Sequence, residues 1–278
     1  MRLVTFRTDH GTRAGRIDGD EVVELDAPDV GALLGEPDGL ARAGRATGTT
    51  RALAGLDLAP VVPRPPKIAC VGRNYAEHAA ELGNAVPEAP TWFAKFTSAL
   101  TGPVDPILLP DADVSTSTDW EVELAVIIGR RARRIRPDAA LDVVAGYCVA
   151  SDVSVRDWQR RTSQFLAGKT FDRTCPLGPA LVTTDEIGDG RGLAIGCEVD
   201  GVEMQRATTD AMVFGVADLV ADLSVATTLE PGDVILTGTP SGVGAGRTPP
   251  VFLRPGQTLR SWVERVGELV NVCEQAGG

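Results

Sequence analysis

The amino-acid sequence predicts an α+β protein that is rich in β-strands. Short apolar or alternating segments, bounded by glycine, proline and Asp-Gly turns, outnumber the segments with helical periodicity. Strands and helices do not alternate regularly along the chain, which argues against a doubly wound parallel sheet. The 278 residues, 43 % hydrophobic and 23 % charged, suffice for one large domain with a small addition.

The N-terminal part of the chain predicts a small α/β domain of residues 1–62. Residues 1–8 and 13–25 have the pattern of short strands with an Asp-Gly turn, and residues 41–56 are weakly helical. Residues 60–67 hold four prolines in eight positions, which suits a stiff linker. We therefore place a domain boundary there, with residues 63–278 as the second domain.

The second domain begins with a short buried strand that runs into a helix over residues 74–82. An amphipathic helix is predicted at residues 155–166, and a longer helix at 214–229 ends before Pro231-Gly232. Five arginines at 130–136 favour a solvated turn or sheet edge. The predicted strands of this domain are 67–72, 91–96, 120–129, 143–152, 178–184, 193–207 with a turn at Asp200-Gly201, 233–239, 258–264 and 268–273.

Composition excludes several classes of function. A formal net charge of −11 argues against nucleic acid or an anionic membrane as a partner. The sequence has no run of 18 apolar residues and no apolar signal core at its start, so we expect a cytoplasmic protein. Its five cysteines are scattered and form no CxxC pair, which indicates small core residues rather than disulfides or a zinc site.

Residues 120–129 form a strand that carries two carboxylates. Glu121 and Glu123 share one face of this strand, at about 7 Å along the backbone. Buried together they would repel each other, and a hard divalent ion would remove that repulsion. Asp152, at the end of the next strong strand, is the candidate third ligand. The alternatives are a solvated sheet face for the glutamates and a role as helix N-cap for Asp152 or Ser151.

Other polar residues suggest a site for an anionic organic molecule. His78, one of two histidines, lies three residues before Glu81 on the predicted helix, so the pair shares a face as a base with its orienting group or as surface decoration. Lys169 lies in a loop where it can bind a carboxylate or enolate, or form a surface salt bridge. Lys95 is flanked by aromatic residues. The glycine-rich loop 236–247 predicts either backbone N–H groups for an anion or a tight turn.

Several stretches, read together, resemble the fumarylacetoacetate hydrolase family, including fumarylpyruvate and acylpyruvate hydrolases and 2-hydroxyhepta-2,4-diene-1,7-dioate isomerase-like bacterial members. They are GRNYAEHAAELG, FAKFTSALTGPVDPILLP, DWEVELAVIIG, GYCVASDVSVRDWQ, GKTFDRTCPLGP and ILTGTPSGVG. The resemblance covers residues from about 67 to the end. It implies a mixed β-roll or sandwich core, a homodimer and a Mg²⁺ or Mn²⁺ centre, with Ca²⁺ also accepted in vitro.

The resemblance also implies roles for individual residues. The metal ligands would be Glu121, Glu123 and Asp152, and the catalytic residues would be His78, Glu81 and Lys169. The residues implied to hold oxygens of a small 2-oxo acid substrate are Arg73, Tyr75, Gln159 and Thr239, to which we add Lys95 for its aromatic flanks. In this picture His78 and Glu81 lie on a lid helix and activate water.

The reaction that follows from the resemblance is metal-dependent hydrolysis of a carbon–carbon bond in acylpyruvate-type or fumarylpyruvate-type β-diketo acids. The products would be pyruvate and a carboxylic acid. The alternative is a lyase or isomerase on the same centre, either an oxaloacetate-type decarboxylase or a 2-hydroxyhepta-2,4-diene-1,7-dioate isomerase or decarboxylase of aromatic catabolism. A binding protein that keeps the fold without the chemistry is a third class. Fold and metal alone do not select among these reactions.

Overall fold

The computed structural model describes residues 1–277, and two β-sheets form the frame of the molecule. The strands are β1 (Arg2–Thr8), β2 (Gly11–Asp18), β3 (Glu21–Glu24), β4 (Thr50–Ala52), β5 (Ile68–Gly72), β6 (Thr91–Lys95), β7 (Leu100–Thr101), β8 (Ile107–Leu109), β9 (Thr118–Asp119), β10 (Val122–Ile128), β11 (Val144–Ser151), β12 (Ser154–Val155), β13 (Cys175–Thr183), β14 (Ala194–Val199), β15 (Val202–Thr208), β16 (Val234–Leu236), β17 (Thr258–Val263) and β18 (Gly267–Gln275). The helices are α1 (Val30–Gly35), α2 (Gly39–Arg45), α3 (Ala76–Glu81), α4 (Arg156–Gln159), α5 (Leu166–Lys169), α6 (Thr184–Ile187) and α7 (Val216–Ala226). Short 3-10 helices lie at Thr97–Ala99, Pro137–Val143, Thr209–Ala211 and Gly244–Gly246.

The larger sheet has eleven strands in the order β4, β3, β2, β1, β13, β11, β10, β16, β5 and β6, with β7 beside β13. The smaller sheet has the order β15, β14, β17, β18 and β8, and β9 pairs separately with β12. Most neighbours are antiparallel, but β16–β5, β13–β7 and β18–β8 are parallel. This mixed, strand-rich architecture confirms the predicted fold class.

The two sheets pack face to face around one hydrophobic core. Leu124 and Val126 of β10 contribute to it from the larger sheet, and Ile195 and Leu259 contribute from the smaller one. Alternate residues of β10, Ala125 and Ile127, lie in a second core on the opposite face, which α1 and α2 cover. Every residue of β10 is therefore buried, and the alternation predicted from sequence separates two cores rather than core from solvent.

The N-terminal segment extends the larger sheet. Strand β1 pairs antiparallel with β13, with Leu3 opposite Leu181, and both side chains lie in the second core. Val61 and Val62 of the predicted linker are fully buried. The linker is therefore a packed segment rather than an exposed spacer, and residues 1–62 share their hydrophobic core with the rest of the chain.

The predicted amphipathic helix at residues 155–166 is wrong. Two one-turn helices, α4 and α5, replace it, separated by bends at residues 160–165. The hydroxyl of Thr162 accepts a hydrogen bond from the backbone N–H of Gln164 and donates one to its carbonyl. Such local bonds compete with helical ones, and they end the helix here. Over residues 1–277, no helix combines the length and apolar character needed to cross a membrane.

Candidate active site

A cavity of about 550 Å³ brings together residues that are far apart in the sequence. Its wall is built from the end of β5, helices α3, α4 and α5, the residue before β10 and the loop after β16. Six of the predicted site residues line it, namely Arg73, His78, Glu121, Gln159, Lys169 and Thr239. The other five, Tyr75, Glu81, Lys95, Glu123 and Asp152, lie outside its lining.

The three predicted metal ligands form a buried cluster. One carboxylate oxygen from each of Glu121, Glu123 and Asp152 lies within 4.8 Å of the others. The strand pairing explains this: Val122 of β10 pairs with Ser151 of β11, so Glu121 and Asp152 lie together just beyond the ladder. All three residues are at most 5 % exposed. The structure therefore excludes a solvated face, and Val155 rather than Asp152 is the N-cap of α4.

Two lysines bind this cluster. The Nζ atom of Lys169 lies 2.7 Å from Oε2 of Glu121 and 2.7 Å from Oδ2 of Asp152. Nζ of Lys95 donates to Oδ1 of Asp152 at 2.8 Å. Burial opposes the charge on Lys169, but the neighbouring carboxylates outweigh it and raise its pKa. Both lysines are therefore fixed positive charges, and neither forms a surface salt bridge.

Lys169 owes its position to a close approach between helices. Gly168 packs against the backbone of Gln159, where an added Cβ would lie 2.3 Å from the Gln159 nitrogen. Only glycine fits this approach, and it holds α5 and its lysine against α4. Lys169 and Gln159 therefore reach the same cavity although ten residues separate them.

Arg156 and Asp119 complete the buried network, and the sequence analysis missed both. Nε of Arg156 donates to Oδ2 of Asp119 at 2.8 Å, and NH1 donates to Oε1 of Glu121 at 2.6 Å. Burial opposes the ionisation of Glu121, but the charges of Lys169 and Arg156 prevail and lower its pKa. The available signal was that Arg156 and Asp119 are charged residues close in sequence to Asp152 and Glu121, two of the three clustered carboxylates.

Glu123 differs from the other carboxylates because no cation pairs with it among the described residues. It accepts a hydrogen bond from the backbone N–H of Gly238 at 2.6 Å. Burial, followed by the charges of Asp152 and Glu121, raises its pKa well above the ordinary value. This uncompensated carboxylate, beside two others with oxygens in ligand range, fits a divalent cation held by oxygen ligands.

The predicted pair on α3 is formed. Nδ1 of His78 lies 3.3 Å from Oε2 of Glu81, and His78 is 5 % exposed on the cavity wall. The other oxygen of Glu81, Oε1, accepts a hydrogen bond of 3.0 Å from the backbone N–H of Gly242. Burial opposes ionisation of Glu81, but hydrogen bonds from His78 and Gly242 lower its pKa. An ionised Glu81 orients the imidazole and leaves its Nε2 atom for the cavity.

Arg73 and Tyr75 flank a buried anchor. The side chain of Asn74 donates to the carbonyls of Phe214 and Thr237 and accepts the N–H of Phe214. Arg73 has a φ of 61°, which a non-glycine residue adopts only where its surroundings hold it. Tyr75 is 2 % exposed and belongs to the core between the sheets. The structure therefore places Arg73 on the cavity wall and Tyr75 behind it.

Lys95 likewise lies behind the cavity wall, with both of its bonds to residues 152–153. Strand β6 ends at Lys95 and buries its ammonium group against Asp152, whereas the flanking Phe96 follows the strand and is exposed. Neither Lys95 nor Tyr75 lines the cavity, and the contact with substrate predicted for both stays a prediction. Thr239 does line the cavity, where its hydroxyl accepts a bond of 2.8 Å from Gln205, another residue missed in the sequence.

The glycine-rich loop 237–246 binds carboxylates of the protein itself. Backbone N–H groups of Gly238, Gly242 and Gly244 donate to Glu123, Glu81 and Asp119 respectively. Ala245 donates a further bond to Asp119. The anion-binding alternative is therefore realised, but the bound anions are side chains of the site.

Comparison with known proteins agrees with this geometry. The family model "Fumarylacetoacetate (FAA) hydrolase C-terminal" matches residues 67–274, and "Rv2993c-like, N-terminal" matches residues 1–60. Oxaloacetate tautomerase FAHD2A, mitochondrial, of Bos taurus is 51 % identical over 216 residues, which are 77 % of this chain and 68 % of that protein.

Solved structures of similar fold carry different activities in their names. A 5-carboxymethyl-2-hydroxymuconate delta-isomerase from Mycobacterium smegmatis has a TM-score of 0.82 at 34 % identity, covering 100 % of both chains. Maleylpyruvate hydrolase from Sphingobium sp. SYK-6, in complex with manganese(II) and pyruvate, has a TM-score of 0.82 at 31 % identity, also covering 100 % of both chains. The motifs and the buried carboxylate cluster of the present chain, together with these matches, show that this chain belongs to the fumarylacetoacetate hydrolase family.

Proposed function

We propose that this chain is a divalent-metal-dependent tautomerase, which interconverts the keto and enol forms of a 2-oxo dicarboxylic acid of the oxaloacetate type. The observation that carries the proposal is that His78, an acid–base group, shares one cavity with Glu121 of the carboxylate cluster. Tautomerisation requires one proton-transferring group and positive charge near the enolate oxygen. The 51 % identity to an oxaloacetate tautomerase supports the substrate.

The residues that would hold Mg²⁺ or Mn²⁺ are Glu121, Glu123 and Asp152, since their oxygens are close together and one negative charge is uncompensated. When bound, such an ion supplies positive charge that stabilises an enolate. Lys169 adds a fixed positive charge beside the same carboxylates. Gln159 and Thr239 offer neutral polar groups for substrate oxygens along the wall.

The proton transfer is assigned to His78. In the keto-to-enol direction, Nε2 takes a proton from the carbon next to the 2-oxo group, and the imidazolium returns a proton to the 2-oxo oxygen directly or through a solvent water. The electron pair of the carbon–hydrogen bond becomes the carbon–carbon double bond and the carbonyl π pair moves to the oxygen, so the reaction needs no further reactant. Glu81 holds Nδ1 and stabilises the imidazolium during the transfer.

Hydrolysis of an acylpyruvate-type carbon–carbon bond is the second candidate. The His78–Glu81 contact favours it, because the same pair can deliver a hydroxide to a carbonyl by removing a proton from water. Maleylpyruvate hydrolase, a structural neighbour, supports this chemistry on a similar fold. Decarboxylation or double-bond isomerisation would use the same centre without water attack.

Product analysis separates these reactions. The enol content of oxaloacetate would be followed by absorbance with Mn²⁺ and again with a chelator, while pyruvate and carbon dioxide are assayed in parallel. Faster keto–enol equilibration without pyruvate or carbon dioxide supports the tautomerase. Pyruvate released from acetylpyruvate or maleylpyruvate would support the hydrolase instead.

His78→Ala tests the assigned base, and His10→Ala is its matched control. His10 is the only other histidine and is exposed in the turn after β1. We expect His78→Ala to slow equilibration by about a hundredfold, the lower end of general acid–base contributions, with Mn²⁺ binding unchanged. An unchanged rate would refute the role given to His78.

We propose a homodimer and a cytoplasmic enzyme, as the resemblance and the composition predict. Sedimentation equilibrium would test the dimer, and a molar mass equal to one 29.2 kDa chain would exclude it. Cell fractionation would test the location.

A further inference from the structure

Two arginines on the wall of the cavity have no partner within residues 1–277. Arg73 and Arg160 both line the cavity, and neither side chain makes a hydrogen bond or an ion pair with another described residue. The other two cations of the wall, Arg156 and Lys169, are held by carboxylates of the cluster. Arg73 and Arg160 are therefore the cations that remain available to a bound molecule.

Both side chains border the cavity, where Arg73 is half-buried and Arg160 is exposed to solvent. The chain has 38 acidic residues against 27 basic ones, so a dianionic ligand meets a net negative protein unless local cations hold each of its charges. A carboxylate of the ligand that lies away from the cluster of Glu121, Glu123 and Asp152 needs cations of its own, and the two unpaired guanidinium groups supply them.

The backbone around Arg73 is fixed. Its φ of 61° is maintained by Asn74, whose side chain makes three hydrogen bonds in the core. Arg160 follows directly after α4, which carries Gln159 and Arg156 of the same wall. Both arginines thus extend from segments that the site itself anchors. A guanidinium presents paired donors that match a carboxylate, so it discriminates more strongly than a point charge would.

We propose that Arg160, together with Arg73, binds the second carboxylate of the substrate and makes the site selective for 2-oxo dicarboxylic acids over 2-oxo monocarboxylic acids. This inference rests on the proposed function and names the group that selects the substrate. Arg160 acts in binding and takes no part in proton transfer.

Binding of two stable probes tests the proposal without turnover. The Mn²⁺-loaded protein would be titrated calorimetrically with 2-oxoglutarate and with 2-oxopentanoate, which share a 2-oxo acid head and differ in the distal carboxylate. We expect 2-oxoglutarate to bind about tenfold more tightly, as a charge-assisted contact to a carboxylate allows. Arg160→Gln should remove most of that preference and leave the affinity for 2-oxopentanoate unchanged.

The neighbouring residue is the matched control. Arg161 lies over the ring of Trp158 and does not line the cavity, so Arg161→Gln should keep the preference. Mn²⁺ affinity measured on each variant checks that the fold and the centre are intact. Equal binding of both probes by the unmodified protein would overturn the proposal. The proposal would also be overturned if Arg160→Gln lowered the affinity for both probes equally, or changed neither affinity.

The same data separate this inference from the proposed function. A preference for 2-oxoglutarate that depends on Arg160, in a protein that does not accelerate oxaloacetate tautomerisation, would keep the dicarboxylate site and reject the tautomerase. Tautomerase activity without a preference for 2-oxoglutarate would keep the proposed function and reject the dicarboxylate site.

Discussion

Four carboxylates and three cations are buried at the centre of the site, so one negative charge lacks a partner. The carboxylates are Asp119, Glu121, Glu123 and Asp152, and the cations are Lys95, Arg156 and Lys169. The imbalance falls on Glu123, which has a backbone N–H as its donor. A site built for an incoming cation would carry such an excess, and it costs stability while the ion is away.

Glu123→Gln should make the metal-free protein more stable. Glutamine keeps an acceptor for the N–H of Gly238 and removes repulsion from the neighbouring carboxylates. We expect the free energy of unfolding without metal to rise by about 1 kcal/mol, as when a poorly compensated buried charge is replaced. Mn²⁺ affinity should fall by about a hundredfold or more, which exceeds the usual loss when a residue that only supports a metal ligand is replaced.

Urea unfolding and Mn²⁺ titration measure the two effects of Glu123→Gln separately. Glu274→Gln, at an exposed position of β18, is the matched control and should change neither quantity. A less stable metal-free Glu123→Gln protein would contradict the view that Glu123 is a source of repulsion.

Lys95→Met should have the opposite effect on the metal-free protein. Its ammonium group is buried against Asp152, and removing one partner of a buried pair costs about 3 kcal/mol. The more negative centre should then bind Mn²⁺ more tightly, so saturating Mn²⁺ should raise the unfolding midpoint further than in the unmodified protein.

Differential scanning calorimetry with and without Mn²⁺ would test Lys95→Met. Lys67→Met removes a lysine that pairs with Asp233 away from the centre, and its response to Mn²⁺ should be normal. A reduced Mn²⁺ shift in Lys95→Met would show that Lys95 chiefly orients Asp152 instead of balancing its charge.

Sequence reasoning grouped the three carboxylates of the cluster correctly but did not find the cations that pair with them. Two glutamates at alternate positions of a strand, and an aspartate where the next strand ends, follow from local periodicity. The pairing of Lys95 with Asp152 does not, because 57 residues separate them and the contact depends on how separate elements pack. Local patterns therefore predict which residues share a face, and tertiary packing decides which charges meet.

At the scale of elements, the loop between β16 and β17 connects the His78–Glu81 pair to the carboxylate cluster. Its N–H groups reach Glu81 on α3, Glu123 on β10 and Asp119 on β9. One short segment thus sets the relative positions of three elements. Its many glycines are consistent with close approach of backbone to side chains, which Gly246 shows most directly.

Gly246→Ala should disturb the acid–base pair and little else. An added Cβ would lie 2.5 Å from Cγ and Cδ of Glu81, so this flexible side chain must move away from His78 and Gly242. We expect the rate of oxaloacetate tautomerisation to fall by about tenfold or more, since orientation of the base is lost. Mn²⁺ affinity should be unchanged, because Glu81 lies outside the carboxylate cluster.

Steady-state kinetics of Gly246→Ala would be compared with those of Gly48→Ala. An added Cβ at Gly48 meets no atom within 4 Å, so that variant should have the unmodified rate. An unaltered rate in Gly246→Ala would mean that the Glu81 contact is not needed for turnover.

The helices near the site show where sequence periodicity misleads. Residues 155–166 have an amphipathic pattern, yet hydrogen bonds of the Thr162 hydroxyl and the packing of Gly168 on Gln159 divide them into two turns. That division places Gln159 and Lys169 on one cavity wall. Apolar periodicity indicates which positions are buried. It does not indicate where a side-chain hydroxyl competes for backbone hydrogen bonds, or where successive turns pack against each other.

At the scale of the whole molecule, the N-terminal segment (residues 1–62) and the catalytic part (residues 63–277) share one sheet and one core. Leu3 of β1 is fully buried in the same cluster as Ile127 of β10, whose strand begins beside the carboxylates. Composition suggested a boundary near residue 62, because proline-rich segments commonly join domains. Composition does not reveal that Val61 and Val62 fill a core, which depends on their partners in space.

Leu3→Ala should therefore destabilise the catalytic part as well as the segment that contains it. Truncating a fully buried leucine costs about 2–5 kcal/mol. All four tryptophans, Trp92, Trp120, Trp158 and Trp262, lie after residue 62, so their fluorescence reports on the catalytic part alone. If the chain unfolds as one cooperative unit, the urea concentration at the midpoint of the tryptophan transition falls by the full destabilisation that Leu3→Ala causes.

His10→Ala is the control: His10 is exposed beyond the end of β1, so this substitution should leave the midpoint of the tryptophan transition unchanged. If Leu3→Ala left the tryptophan transition unchanged while far-ultraviolet dichroism showed an earlier one, residues 1–62 would be an independent domain despite the shared sheet.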